Sequence, residues 1–151
     1  MKVVVDTGAL VGLVNSRDQW HSPAKAIRNR LLQRKADLFV PRIVRVELYA
    51  HATRLQSKSD SANERKRFIQ SIEALELPII EHELSDFVAA ERWWTQYADW
   101  PLDLPDVLIV ETARRIHAER IWAFDKNLTK FVAQTRGSLR TIGAPNGGVE
   151  P

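Results

Sequence analysis

Lys2-Val3-Val4-Val5-Asp6-Thr7-Gly8 is an unbroken β-branched run that stops at an acid, and its reading decides the fold. Consecutive valines without polar alternation leave no solvent face, so the run reads as a strand of a parallel sheet buried on both sides. Thr7-Gly8 breaks it, and Ala9 to Val14 reads as a short apolar helix. After Asp18 an amphipathic helix follows, with Ala24, Ile27, Leu31 and Leu32 inside and Arg28, Arg30 and Arg34 outside.

Further along, Leu38-Phe39-Val40 is a second strand, and Pro41 closes it and opens a helix with Ile43, Val46, Glu47 and Ala50 on one face. Ser57 to Asn63 reads as a loop, and the next helix carries Phe68, Ile69, Ile72 and Leu75. Pro78-Ile79-Ile80 is a third strand, followed by a helix through Phe87, Val88, Ala90, Glu91 and Trp94 and a turn region from Asp99 to Leu104. Pro105 and Asp106 suit the first turn of a helix continued by Val107, Val110, Ala113 and Ile116. Ile121-Trp122-Ala123-Phe124 is a fourth strand, ending at Asp125; a short helix from Leu128 to Ala133 and a strand from Leu139 to Ile142 finish the pattern. Strands alternating with helices imply an α/β three-layer sandwich, a mainly parallel central sheet flanked by helices. One domain is expected over residues 1–142, with 143–151 as a flexible tail.

The composition agrees. At 151 residues, 44% hydrophobic and 27% charged, the chain matches an ordinary globular domain, which excludes collagen-like, disordered and coiled-coil classes. With no cysteine there is no disulfide framework, thiolate zinc site, cysteine nucleophile or iron–sulfur cluster. No apolar run reaches the roughly 20 residues of a membrane span, and no signal-peptide plan precedes the first strand, so a cytoplasmic protein without membrane contact is expected. The net charge is only +3, but the excess is clustered: twelve Lys and Arg between Lys25 and Arg67 face four acids, Asp37, Glu47, Asp60 and Glu64. Such a stretch is either a set of solvated helix faces or a polyanion-binding surface.

Ligands of parallel α/β sheets collect outside the carboxyl ends of the strands. Asp6 follows the first strand, Asp125 follows the fourth, Asp106 sits in the first turn of the helix feeding that strand, and Glu47 lies on the helix leaving the second. Each alone suits a helix cap. Facing one crevice, they repel one another and raise one another's pKa, a conflict a divalent cation resolves. Oxygen donors without His or Cys favour Mg²⁺ or Mn²⁺ over zinc, and an acidic metal pocket beside a basic surface fits phosphodiester hydrolysis.

Val3 to Leu10, Pro41 through Glu47-Leu48, Leu104-Pro105-Asp106-Val107-Leu108-Ile109 and Phe124-Asp125-Lys126-Asn127-Leu128 together resemble the PIN-domain ribonucleases, above all the VapC-type toxins of toxin–antitoxin pairs. The resemblance runs from Lys2 to Ile142. It implies a PIN-like sandwich and an Mg²⁺- or Mn²⁺-dependent endoribonuclease that leaves a 5′-phosphate and a 3′-hydroxyl. It also implies a homodimer, silenced by a small cognate antitoxin protein. By position, Asp6, Glu47, Asp106 and Asp125 match the family's catalytic and metal-binding acids, and Thr7 matches the hydroxyl residue that follows the first of them and helps hold metal-bound water or the substrate phosphate. Gly8 stands where Ser is frequent, Ala123 where Thr or Ser often precedes the last acid, and Asn127 where some members have a further acid. Asp103 competes with Asp106 for the third position. Two alternatives share the fold: a non-catalytic PIN-like module that binds RNA or protein, and a stand-alone RNA-processing PIN nuclease.

Asp6-Thr7-Gly8 also spells the aspartic-protease tripeptide, but that site needs an all-β chain, and helix follows here. Receiver-like phosphoryl sites want paired acids after the first strand and haloacid-dehalogenase-like sites want Asp-x-Asp; Gly8 supplies neither. Arg45, near Glu47, and Arg114, in the Arg114-Arg115 pair after Asp106, are candidates for RNA phosphate contacts by proximity in sequence. Trp93, Trp94 and Trp100 mark either a partner surface or core packing, and Trp122 reads as core. The four histidines have no metal-ligating spacing and read as surface or capping residues.

Overall fold

The computed structural model describes residues 1–54, 61–135 and 137–143. Five strands form one parallel sheet: β1 (Lys2–Val5), β2 (Asp37–Pro41), β3 (Ile79–Ile80), β4 (Arg120–Ala123) and β5 (Arg140–Gly143), in the order β3-β2-β1-β4-β5. Among the described residues seven helices accompany it: α1 (Thr7–Val14), α2 (His21–Gln33), α3 (Arg42–Arg54), α4 (Ser61–Glu73), α5 (Leu84–Gln96), α6 (Leu104–Arg115) and α7 (Lys126–Gln134).

Val3, Val4 and Val5 have no solvent exposure, which requires cover on both faces of the sheet and explains the unbroken valine run. From β1 the chain builds outward through β2 to β3, then returns to β1's other edge with β4 and β5. This reversal puts a switch point between β1 and β4, where Val5 stands beside Trp122, and strand ends part to leave a crevice. Trp122, Phe131, Leu10, Leu31, Leu48, Leu108 and Ile109 are the large side chains of the core.

Several sequence expectations shift. The loop expected through Asn63 gives way to α4 from Ser61, and residues 57–60 lie outside the described set. On α3 the buried positions are Val44, Leu48 and Ala52, not the face of Val46 and Ala50; Ile43 and Glu47 sit half-buried at its border. Leu32 is half exposed at the end of α2. Phe87, Val88 and Trp94 point outward from α5, whose buried residues are Asp86 and Ala90. Leu104 starts α6 rather than ending the preceding turn, and α7 starts at Lys126 because Asp125 caps it. Gly143, expected in the tail, is the last residue of β5: it pairs with Ala123 at φ 108°, and a Cβ there would lie 2.9 Å from the Ala123 carbonyl oxygen. The rest of the expected tail, 144–151, lies outside the described residues.

Trp93, Tyr97 and Trp100 surround Phe131 with ring centroids 6.1 Å from it, so two of the three clustered tryptophans are packing residues. Trp94 alone of them turns outward. No helix among the described residues is long and apolar enough to cross a membrane.

Candidate active site

The sheet ends first at Asp6. Its backbone N–H donates to the Trp122 carbonyl across the β1–β4 junction at 3.0 Å, and its Oδ2 accepts from the Gly8 N–H at 3.2 Å, so one carboxylate closes the strand and caps α1. Thr7, next in the chain, donates its hydroxyl to Glu47 Oε2 on α3. At the start of α6, Asp103 and Asp106 form a reciprocal capping box: Asp103 Oδ1 accepts from the Asp106 N–H at 3.0 Å, and Asp106 Oδ2 accepts from the Asp103 N–H at 3.3 Å. Asp125, exposed beyond β4, caps α7 by accepting from the Asn127 and Leu128 N–H groups at 2.6 and 2.8 Å.

These elements enclose a crevice of about 320 Å³ lined by Asp6, Thr7, Gly8, Trp20, Glu47, Asp106, Phe124 and Asp125. Trp20 and Phe124 stack at 4.7 Å with their rings nearly parallel and form its apolar wall. All four expected acids and the expected hydroxyl therefore reach one cavity. Asp103 does not line it and acts on it through the capping box and its charge. Three helix N-termini, those of α1, α6 and α7, also meet there, and their positive ends offset part of the negative charge.

Burial and the remaining repulsion both raise the pKa values of Asp6, Glu47 and Asp106, burial the more. Burial raises the Asp6 pKa from 3.8 to about 7, with Glu47 and Asp125 adding to the shift and the Gly8 and Thr7 N–H groups opposing it. Asp106 rises from 3.8 to about 8, first through burial and then through Asp103, Asp6 and Asp125. Glu47 is also pushed up by burial and by Asp103, against the Thr7 hydroxyl and Arg54. Asp6 and Asp106, buried and crowded in this way, keep their protons near neutrality unless another positive charge replaces them.

Among the described residues no three carboxylate or imidazole groups are already gathered as a ready-made cation cage. The donor set is nonetheless all oxygen, four carboxyls and a hydroxyl around one cavity, which fits a hard divalent cation. The arginines expected at phosphate lie elsewhere. Arg45 pairs with Glu73 at 3.6 Å and lies over the Tyr49 ring, while Arg114 pairs with Glu111 and lies over Trp93; neither lines the crevice. Sequence reading also missed Trp20 and Phe124, which look like ordinary core residues until folding brings them to the cavity, and the bonding of His82, which joins α3 to α6.

The PIN domain family model matches residues 3–133. Among solved structures, the chain resembles VapC20 of Mycobacterium tuberculosis, described as a sarcin–ricin-loop-cleaving toxin, with a TM-score of 0.68 and 16% identity over 85% of this chain and 94% of that one. It also resembles VapBC2 of Rickettsia felis bound to promoter DNA, with a TM-score of 0.65 and 17% identity over 93% and 98% of the two chains. VapBC-1 of nontypeable Haemophilus influenzae gives a TM-score of 0.66 and 18% identity over 93% and 96%. A sequence comparison with curated proteins finds no match. At these identities the solved structures speak for the fold; the family match, running from the β1 valines into α7 and spanning every acid of the crevice, makes this chain a member of the PIN-domain family.

Proposed function

We propose that this chain is a divalent-cation-dependent endoribonuclease that hydrolyses RNA phosphodiester bonds and serves as the toxin of a type II toxin–antitoxin pair. The observation that carries the reading is the meeting of Asp6, Glu47, Asp106 and Asp125, from four separate parts of the chain, in one crevice with two of their pKa values raised to about 7 and 8. A structural role alone gives no reason to gather four acids against that cost.

In this proposal Asp6, Glu47, Asp106 and Asp125 hold Mg²⁺ or Mn²⁺. The chemistry such a cation supplies is Lewis-acid stabilisation of the phosphodiester and activation of the attacking water. Thr7 holds Glu47 in place through its hydroxyl. The capping box fixes Asp106 at the mouth of α6, and the α7 cap fixes Asp125 opposite it. Trp20 and Phe124 give the crevice one apolar wall. The similar fold of chains solved as VapBC complexes supports a small antitoxin protein as the partner, and the basic stretch from Lys25 to Arg67 supports RNA as the substrate. A homodimer in the cytoplasm completes the proposal.

The test is cleavage of end-labelled tRNA and ribosomal RNA fragments by protein freed of co-purified partner, with Mg²⁺, Mn²⁺ or chelator, beside Asp106→Asn. Discrete cuts that disappear with chelator and in the variant support the nuclease. A folded protein that neither cuts nor binds Mn²⁺ supports the non-catalytic module instead.

A further inference from the structure

Residues 81–83, between β3 and α5, are bonded to α3 on one side and α6 on the other, and the centre of that junction is His82. Its Nε2 lies 3.0 Å from the backbone nitrogen of Ile43, the second residue of α3, and its Nδ1 lies 2.7 Å from Thr112 Oγ1 on α6. The tautomer follows from the partners. The Ile43 N–H only donates, so Nε2 accepts. The Thr112 hydroxyl gives its single proton to Asp86 Oδ2 at 3.2 Å, so it accepts from Nδ1–H. The ring is therefore neutral, protonated on Nδ1.

The rest of the junction is saturated. Asp86, buried on α5, receives Arg115 Nε at 3.0 Å and the Glu83 N–H at 3.0 Å; Arg115 also donates to Glu83 Oε1 and to the Glu81 carbonyl. Arg42, the first residue of α3, pairs with Glu81. The first N–H groups of a helix have no partner within it, and Pro41 leaves α3 without a capping side chain of its own. His82 supplies that cap from 39 residues away.

We propose that His82 is a positioning residue for the crevice, its neutral ring setting the spacing between the helix that carries Glu47 and the helix that carries Asp106. One imidazole bonds both helices, whereas the Thr7–Glu47 bond ties α3 only to α1. The charges around the ring are Glu81 and Glu83 from its own segment, Asp86 from α5, Arg115 from α6 and Arg42 from α3. Burial, the leading influence, holds the His82 pKa below the usual 6.5; Arg115 acts the same way, and Asp86 and Glu81 oppose it. Protonation would put a second N–H at Nε2, facing the Ile43 donor, and would remove the cap. The inference rests on reading the carboxylates as a metal site.

The experiment compares the full chain with His82→Leu, which keeps volume but cannot accept a hydrogen bond, and His82→Gln, which can. The measurements are Mn²⁺ affinity by calorimetry, the ¹⁵N shifts of the His82 ring and the Ile43 amide, and the ¹³C shifts of the Glu47 and Asp106 carboxyls. Expected are a wild-type ring protonated at Nδ1, an Ile43 amide that titrates with it, and a loss of about tenfold in Mn²⁺ affinity in His82→Leu, largely restored in His82→Gln. Unchanged affinity in His82→Leu, or a Gln variant no better than Leu, overturns the positioning role. If wild type binds no Mn²⁺, the metal-site reading fails, and the carboxyl shifts then judge His82 separately: movement at both in His82→Leu supports the coupling, and no movement at either overturns it. If His82→Leu does not fold, Thr112→Val replaces it in the same comparison, with the same readings for and against.

Discussion

The Thr7 hydroxyl donates to the Glu47 carboxylate across 40 residues of sequence, tying the first turn of α1 to the half-buried face of α3. Of the contacts inside the crevice, this one lowers the Glu47 pKa against burial and Asp103. Thr7→Val keeps the shape and removes the donor. The expected result is a loss of about 1 kcal/mol in stability together with weaker Mn²⁺ binding, while Thr7→Ser stays close to wild type. Urea denaturation and calorimetry on the three proteins check it; a valine variant with unchanged metal affinity refutes the role given to Thr7.

The raised acids make metal-free stability depend on pH in a definite direction. Folded Asp6 and Asp106 hold protons up to about 7 and 8, whereas in the unfolded chain they release them near 3.8. Between those limits the folded state binds more protons, so their contribution is complete below about pH 4 and is lost as pH rises through 8. Melting temperatures in chelator should therefore fall from pH 5 to pH 9, with a smaller fall in Asp106→Asn. Millimolar Mn²⁺ should raise the high-pH value most. A wild-type slope equal to that of the variant would contradict this account.

Asp103 and Asp106 are separable because only one lines the crevice. Asp103→Asn keeps an N-cap acceptor and removes a neighbouring charge, so it should lower the Asp106 pKa and leave Mn²⁺ binding within a few-fold of wild type. Asp103→Ala should cost about 1 kcal/mol through the lost cap. Asp106→Asn should abolish Mn²⁺ binding. Equal loss of binding in both Asn variants would restore Asp103 as a ligand.

The ring cluster around Phe131 predicts opposite results for neighbouring aromatics. Phe131, 2% exposed, contacts three rings, and Phe131→Ala should cost about 3–5 kcal/mol by denaturant titration. Trp94, 49% exposed, should be replaceable by Ala within about 0.5 kcal/mol.

Much of this was legible in the chain because the informative patterns are local. The valine run at Val3, Val4 and Val5 marks a strand covered on both faces, and Pro105 beside Asp106 marks a helix start; both are where they were expected. The acids were readable for the same reason, each being tied to the end of its own element. The face of α3 was not, because Ile43, Val44, Val46 and Leu48 spread apolar side chains over more than half of the helix circumference, and only packing against other elements selects Val44 and Leu48. The arginines failed on distance: Arg45 is close to Glu47 in sequence, yet Glu73 and Tyr49 hold it away from the cavity. His82 gave no local sign, since its two partners lie 30 and 39 residues distant.

The order of the sheet also sets a clock on synthesis. β1 is made first and lies at the centre, but the side of the crevice formed at its junction with β4 waits for residues 120–125, late in the chain. A polypeptide halted on the ribosome before that point has Asp6 and Glu47 but neither Asp125 nor the Trp122 carbonyl that anchors Asp6. Interrupted translation thus yields fragments unable to assemble the acidic pocket, so whatever chemistry the finished pocket performs begins only after nearly all of the described chain has left the exit tunnel.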